Sequence, residues 1–260
     1  MKENELRMGL LISGSGTTAE AVIKACQQER LPKVKPVAVI SSRPDAPGIE
    51  KAKRLKIKTF VVQRKNFPMA EAFGDELLKI LRELCVDFVS QNGWLPLTPT
   101  NLIKAYQGRI INQHPGPLDP DRSNDFGGKG MYGSRVVCAR LAYVWTTDEE
   151  NPWTESTIHH VTKEYDQGDL IRVVRMAIPS LGRPVTIAEL REKPQQLIET
   201  TKLVQTKLLS LEHQNVIATL RAFVEGKHPG FTRTKSLISP GQRQVLFEAK
   251  KLAVKLFPKG

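Results

Sequence analysis

Arg7-Met8-Gly9-Leu10-Leu11-Ile12-Ser13-Gly14-Ser15-Gly16-Thr17-Thr18-Ala19 places a short apolar block in front of a glycine turn. Met8, Leu10, Leu11 and Ile12 predict a strand over 7–13, and Gly14-Ser15-Gly16 closes it. Thr17 or Thr18 then caps a helix that runs through Ala21, Val22, Ile23 and Ala25. The alternation repeats along the chain. Strands are expected at 37–42, 59–62, 87–90 and 109–112, separated by helices at 47–55, 68–84 and 99–105. Strands and helices at such short spacing predict an α/β fold: a doubly wound, mostly parallel sheet covered on both faces. Ligands of such sheets sit beyond the carboxyl ends of the strands. Gly14-Ser15-Gly16, Asn92-Gly93-Trp94 and Asn112-Gln113-His114 all fall there.

The chain has 260 residues, 40% of them apolar and 25% charged, as in water-soluble globular proteins. No apolar run is long enough to span a bilayer. Glu3 and Glu5 precede the first apolar block, unlike the basic-then-apolar layout of a signal peptide, so a cytoplasmic protein is expected. Cys26, Cys85 and Cys138 are far apart and form no C-x-x-C pair, which points to buried structural thiols rather than to a disulfide framework or a metal site. The net charge of +12 raises the question of nucleic acid. Residues 227–260 carry eight Lys or Arg against Glu248 alone and so supply +7 of it. The remaining body is only mildly basic, which argues against a nucleic-acid partner. Oligomeric state leaves no mark on the sequence.

Beyond residue 118 the periodicity fades into 119–133, rich in Gly, Asp and Pro and read as an active-site loop. A helix is expected near 131–141 and strands at 156–161 and 170–177, with Asp166 on the turn between them. Residues 185–225 read as largely helical. Gly226-Lys227-His228-Pro229-Gly230 breaks that pattern, dividing a catalytic domain, 1–226, from a basic C-terminal extension, 227–260. The extension holds one amphipathic helix, with Val245, Leu246, Ala249, Leu252, Ala253 and Leu256 on one face and Lys250, Lys251 and Lys255 elsewhere. That face is expected to pack back on the core. A chain cut after Gly226 is expected to keep its site at some loss of stability.

Strand alternation points Asn112 and His114 to the same side, so an amide donor and an imidazole can aim at one oxygen, a geometry suited to an oxyanion. Asp166, arriving from another segment, would orient or charge the imidazole or take a proton from an attacking amine. His159 and His160 fall on opposite faces of their strand and read as packing residues, as does His213. Lys129, Arg122 and Arg135 are candidate contacts for phosphate or for a glutamate tail, or else solvated loop charges. Gly14-Ser15-Gly16-Thr17-Thr18-Ala19 has two readings besides a plain tight turn. As G-x-G-x-x-A after a strand it fits a dinucleotide fingerprint, and Ser41-Ser42-Arg43, with no acid for a ribose, would favour NADP. As a shorter cradle it would hold one phosphate on backbone N–H groups and the hydroxyls of Thr17 and Thr18.

In their order and spacing these stretches resemble the phosphoribosylglycinamide formyltransferase family of purine synthesis: LISGSGTT (11–18), SSRPDAPGIEKAKRLKI (41–57), DFVSQNGWLPLTP (87–99), INQHPGPL (111–118), FGGKGMYG (126–133), TIHHVTKEYDQGDLI (157–171) and LEHQNVI (211–217). The resemblance runs from about Met8 to Gly226. It implies a Rossmann-type core and transfer of a formyl group from 10-formyltetrahydrofolate to the amine of glycinamide ribonucleotide. It places the ribonucleotide phosphate on Gly14, Gly16, Thr17 and Thr18, and the pterin against Gly93, Trp94, Leu95, Pro96 and Leu97. Asn112, His114 and Asp166 match the catalytic residues, and Glu212 matches the acid that receives the substrate amine. A protonated His114, its pKa raised by Asp166, is expected to help stabilise the oxyanion. No metal is required.

The chain departs from the family pattern in several places. His114 and Asp166 stand 52 positions apart, with extra sequence near 119–124 and 144–155. Arginines of many relatives are replaced by Ala70 and Pro96, and the tail after Gly226 is additional. A sugar-nucleotide amine or an aminoacyl-tRNA therefore stays open as acceptor, and an NADP-dependent oxidoreductase is the alternative outside formyl transfer.

Overall fold

The computed structural model describes residues 5–260, so the stretch through Asn4, used above against a signal peptide, lies outside the described residues. β1 (Leu6–Ile12), α1 (Thr17–Gln27), β2 (Val34–Ser41), α2 (Pro47–Arg54), β3 (Lys58–Val61), α3 (Ala70–Glu83), β4 (Phe88–Asn92), α4 (Thr100–Ala105) and β5 (Ile110–His114) alternate as expected. They are followed by α5 (Ser134–Thr146), β6 (Trp153–His160), β7 (Leu170–Ala177), α6 (Ile187–Glu192), α7 (Gln195–Val224) and α8 (Arg243–Leu256). One seven-stranded sheet has the order β3-β2-β1-β4-β5-β6-β7. β1 to β5 pair in parallel, while β6 runs antiparallel to both β5 and β7. The order reverses between β1 and β4, which opens a crevice at their carboxyl ends.

The period of two explains why β1 is buried on both sides. Met8, Leu10 and Ile12 pack with Val22 and Ile23 of α1 and with Val216 and Leu220 of α7. Leu11 points the other way, into Phe73, Leu77 and Leu81 of α3 and Leu102 of α4. A third apolar cluster joins Val137 and Leu141 of α5, Leu208 of α7 and Leu246, Ala249 and Leu252 of α8. α8 therefore lies in the core, and each of Leu246 and Leu252 contributes roughly 1.5 to 3 kcal/mol by burial.

The added segments meet one another. In the stretch after α5, Glu149 takes a two-pronged contact from the buried Arg140 at 2.8 and 2.7 Å, and Arg140 also donates to the Trp153 carbonyl at 2.7 Å. Glu155, fully buried in β6, is paired with Arg233 of the C-terminal extension, whose Nε donates to the Leu118 carbonyl at 2.8 Å. Two of the eight basic residues of 227–260, Arg233 and Lys250, thus turn inward rather than adding to a cationic surface. Two of the three candidate contacts of the loop are also engaged: Arg122 pairs with Asp119 at 2.9 Å, and Arg135 donates to the carbonyls of Phe257 and Pro258 at 2.8 and 2.7 Å. The expectation of buried thiols is met at Cys138 but not at the exposed Cys85. Among the described residues no helix is long and apolar enough to cross a membrane.

Candidate active site

β5 runs two residues further than the sequence predicts, so His114 is its last residue and not part of the following loop. The extension follows from pairing, because Asn112 and His114 stand opposite His159 and Thr157 of β6. Asp166 reaches the same spot from the β6–β7 turn, with a left-handed φ of 57° that Asp tolerates better than most residues. Its Oδ2 lies 3.6 Å from His114 Nδ1 and accepts from the Gly128 N–H at 2.8 Å. Its Oδ1 accepts from Asn112 Nδ2 at 3.3 Å and lies 3.4 Å from His159 Nε2. Gly127 has no room for a side chain, since a Cβ there would stand 2.8 Å from Asp166 Cβ and 2.6 Å from Leu118 Cδ2.

His159 is the residue that sequence reasoning missed. The His160 carbonyl can only accept, so His159 Nδ1, 2.8 Å away, donates to it, and Nε2 lies 3.0 Å from Asn112 Nδ2. Opposite faces for His159 and His160 were correctly expected. The face turned to β5 was not legible, because it depends on strand register.

These residues open onto a cavity of about 450 Å³ that reaches from the first glycine turn to the β6–β7 turn. At one end are Gly14, Gly16, Thr17 and Thr18. Gly16, with φ of 63°, is itself the N-cap of α1, and neither Thr17 nor Thr18 caps the helix as expected. A Cβ on Gly16 would sit 2.7 Å from Gly48 Cα, whereas one on Gly14 would meet nothing within 4 Å. The uncapped N–H groups of α1 thus face the cavity, a ready site for an anion.

Gly93, Trp94, Leu95, Pro96 and Leu97 line the same cavity. The Trp94 indole is buried and stacks on Phe73 at 6.1 Å, leaving the backbone of this loop as its polar surface. Ser13 Oγ accepts from the Leu95 N–H at 2.9 Å, and the Tyr165 hydroxyl donates to the Leu95 carbonyl at 3.4 Å. The loop is thereby tied to the glycine turn and to the Asp166 turn. Asn92 Oδ1, buried at the start of the loop, has no hydrogen-bond partner among the described residues. Glu212, on α7, lines the cavity beside Gln113.

The sequence profile of the formyl transferase family matches residues 6–201. The chain belongs to that family. Among curated proteins it is similar to the chloroplastic phosphoribosylglycinamide formyltransferase of Arabidopsis thaliana, 29% identical over 70% of this chain and 59% of that protein. The Haemophilus influenzae phosphoribosylglycinamide formyltransferase is 28% identical over 66% of this chain and 73% of its own. The match thus spans less than two thirds of the plant protein. Among solved structures, glycinamide ribonucleotide transformylase 1 from Symbiobacterium toebii superimposes with a TM-score of 0.69 at 26% identity, covering 86% of this chain and 90% of the other.

In this formyl transferase the buried charges have a clear order. Burial works to raise the Asp166 carboxyl, but the adjoining His114 and His159 and the Gly128 N–H outweigh it and hold the group at about 2. Burial lowers His114 below the usual 6.5, and the Asp166 charge opposes this without overcoming it. The expected imidazolium is therefore replaced, at neutral pH, by a neutral ring beside an ionised carboxylate. His114 Nε2 has no hydrogen-bond partner among the described residues. Burial pushes Glu212 up to about 8, with the Gln113 amide pulling less strongly the other way. One buried carboxyl is thus charged at neutral pH and the other protonated, a separation that can divide proton transfer between them.

Proposed function

We propose that this formyl transferase moves the formyl group of 10-formyltetrahydrofolate to the amine of glycinamide ribonucleotide, a step of purine synthesis in the cytoplasm. The observation that carries the reading is the opening of the α1 N-terminus, the Asn112–His114–Asp166 cluster and Glu212 into one cavity. The acceptor's phosphate would rest on Gly14, Gly16, Thr17 and Thr18, its amine would face Glu212, and the pterin would lie against Gly93–Leu97. Both co-substrates are small molecules.

The acceptor nitrogen attacks the formyl carbon and a C–N bond forms, while the formyl oxygen takes on negative charge. Asn112 Nδ2 gives up its longer contact, that to Asp166, and donates to this oxygen. His114 Nε2, with its lone pair free, takes the proton from the attacking nitrogen. Asp166 stabilises the resulting imidazolium from the Nδ1 side. Cleavage of the bond to N10 of the folate then draws that proton to the leaving nitrogen and restores the neutral ring. The balance requires no external reductant or oxidant.

The test is incubation of the protein with 10-formyltetrahydrofolate and a panel of amines, with product masses measured. A formylated glycinamide ribonucleotide formed at least tenfold faster than any sugar-nucleotide or methionyl-tRNA product is the expected result. Preference for another amine overturns the acceptor, and absence of formyl transfer to all of them overturns the reaction.

A further inference from the structure

Lys250 lies on α8, in the extension outside the matched part of the chain, and its amine turns toward the active site. Nζ donates to the Gly127 carbonyl at 2.7 Å and to the Asp125 carbonyl at 3.0 Å. Asp125 braces the same loop, its carboxylate accepting from the Gly127 N–H and from the Asp119 N–H, both at 2.8 Å. The next N–H along, that of Gly128, donates to Asp166 Oδ2. The contact between Gly127 and Asp166 leaves no slack, because no Cβ fits between them. A chain of direct contacts therefore joins a lysine of the C-terminal helix to the carboxylate beside His114.

We propose that Lys250 is a positioning residue for formyl transfer, holding the 125–128 loop so that Gly128 N–H fixes Asp166 against His114 and Asn112. The proposal rests on the reading of Asp166 as part of the reacting site. A partly buried ammonium bound to two carbonyls is hard to replace, since an apolar side chain leaves both acceptors unpaired and frees the loop. Displacement of a supporting group by as little as 1 Å is enough to lower turnover strongly while leaving substrates bound. The extension is on this view a working part of the site, although the sequence presents it as an appendage.

The test compares Lys250→Met, Lys250→Arg and Lys255→Met in the full chain, the last being an exposed lysine of the same helix that makes no contact with the loop. Expected for Lys250→Met is a fall in kcat of at least tenfold, with KM for both substrates within twofold of the parent and the thermal midpoint within a few degrees. Lys250→Arg, which can still reach two carbonyls, recovers at least a third of the lost rate, and Lys255→Met behaves as the parent. A kcat for Lys250→Met within twofold of the parent overturns the proposal. So does a loss in which KM rises and the protein melts in parallel, or one that arginine does not repair. An activity-independent readout separates this outcome from failure of the acceptor assignment. The His114 ring resonances should move in Lys250→Met and stay in place in Lys255→Met, whichever amine is formylated, and unmoved resonances sink the proposal.

Discussion

Asn112 faces His159 directly across the β5–β6 pair, with amide Nδ2 3.0 Å from imidazole Nε2. The contact fixes the amide plane, so the same nitrogen also points at Asp166 Oδ1. His159 is thereby a support for Asn112, and loss of the two side chains should not be additive. His159→Ala is expected to lower the formyl-transfer rate about tenfold, and Asn112→Ala by about 10²-fold. The double variant should be no more than threefold slower than Asn112→Ala alone. Single-turnover rates of the three proteins check this, and multiplicative losses would show that His159 acts independently.

Glu212 is held protonated by burial, with its folded-state pKa near 8. A carboxyl that binds its proton more tightly when folded contributes stability that is complete below its unfolded pKa, roughly 4.3, and is lost as the pH rises through 8. Glu212→Gln has no such proton to lose. Its thermal midpoint relative to the parent should therefore climb between pH 5 and pH 9, a trend read by calorimetry across that range. The same variant should raise KM for the amine acceptor and leave folate affinity unchanged, if Glu212 receives the amine.

Two glycines of the cavity should respond in opposite ways. Gly127→Ala puts a methyl group against Asp166 and Leu118, so the loop must shift. Turnover should fall at least tenfold with little change in acceptor KM. Gly14→Ala meets no protein atom within 4 Å, so folding should be unaffected. Its methyl group would instead crowd the phosphate cradle and raise acceptor KM. Steady-state kinetics distinguish the patterns, and an unchanged acceptor KM for Gly14→Ala would make the cradle an ordinary turn.

Arg233 and Glu155 form a buried pair between the extension and β6, with Arg175 a second, more exposed partner of Glu155 at 3.4 Å. Arg233→Met leaves the carboxylate largely uncompensated and should destabilise the protein by about 3 to 5 kcal/mol. Deletion of 227–260 removes that partner together with Leu246, Leu252 and Lys250, and is expected to abolish both cooperative folding and formyl transfer. The sequence predicts that the tail packs on the core and that its loss spares the site at some cost in stability; the buried Arg233 and the inward-turned Lys250 raise that expected cost. Urea unfolding followed by circular dichroism measures both effects, and a truncated protein with near-parental stability would restore the tail to a peripheral role.

The parallel half of the molecule was legible because its signals are local. An apolar block, a glycine turn and an amphipathic run each depend on neighbours a few residues away, and together they placed β1 to β5 and the loops at their carboxyl ends. Asn112, His114, Asp166 and Glu212 were found from strand alternation together with family resemblance, and the structure gathers them at one cavity. The parts that stayed hidden depend on contacts between distant segments. Antiparallel pairing of β6 on β5 decides that His159, rather than His160, faces Asn112, and a shift of one residue in register would exchange them. Burial decides that His114 is neutral while Asp166 is ionised, because desolvation depends on what surrounds a group in space. Docking of α8 on α5 turns Lys250 from one more tail charge into a brace for the 125–128 loop. Local sequence therefore determined the strands, the turns and the chemical types at the site, whereas tertiary structure alone decided their partners and charge states, since those energies arise between residues that the chain brings together only on folding.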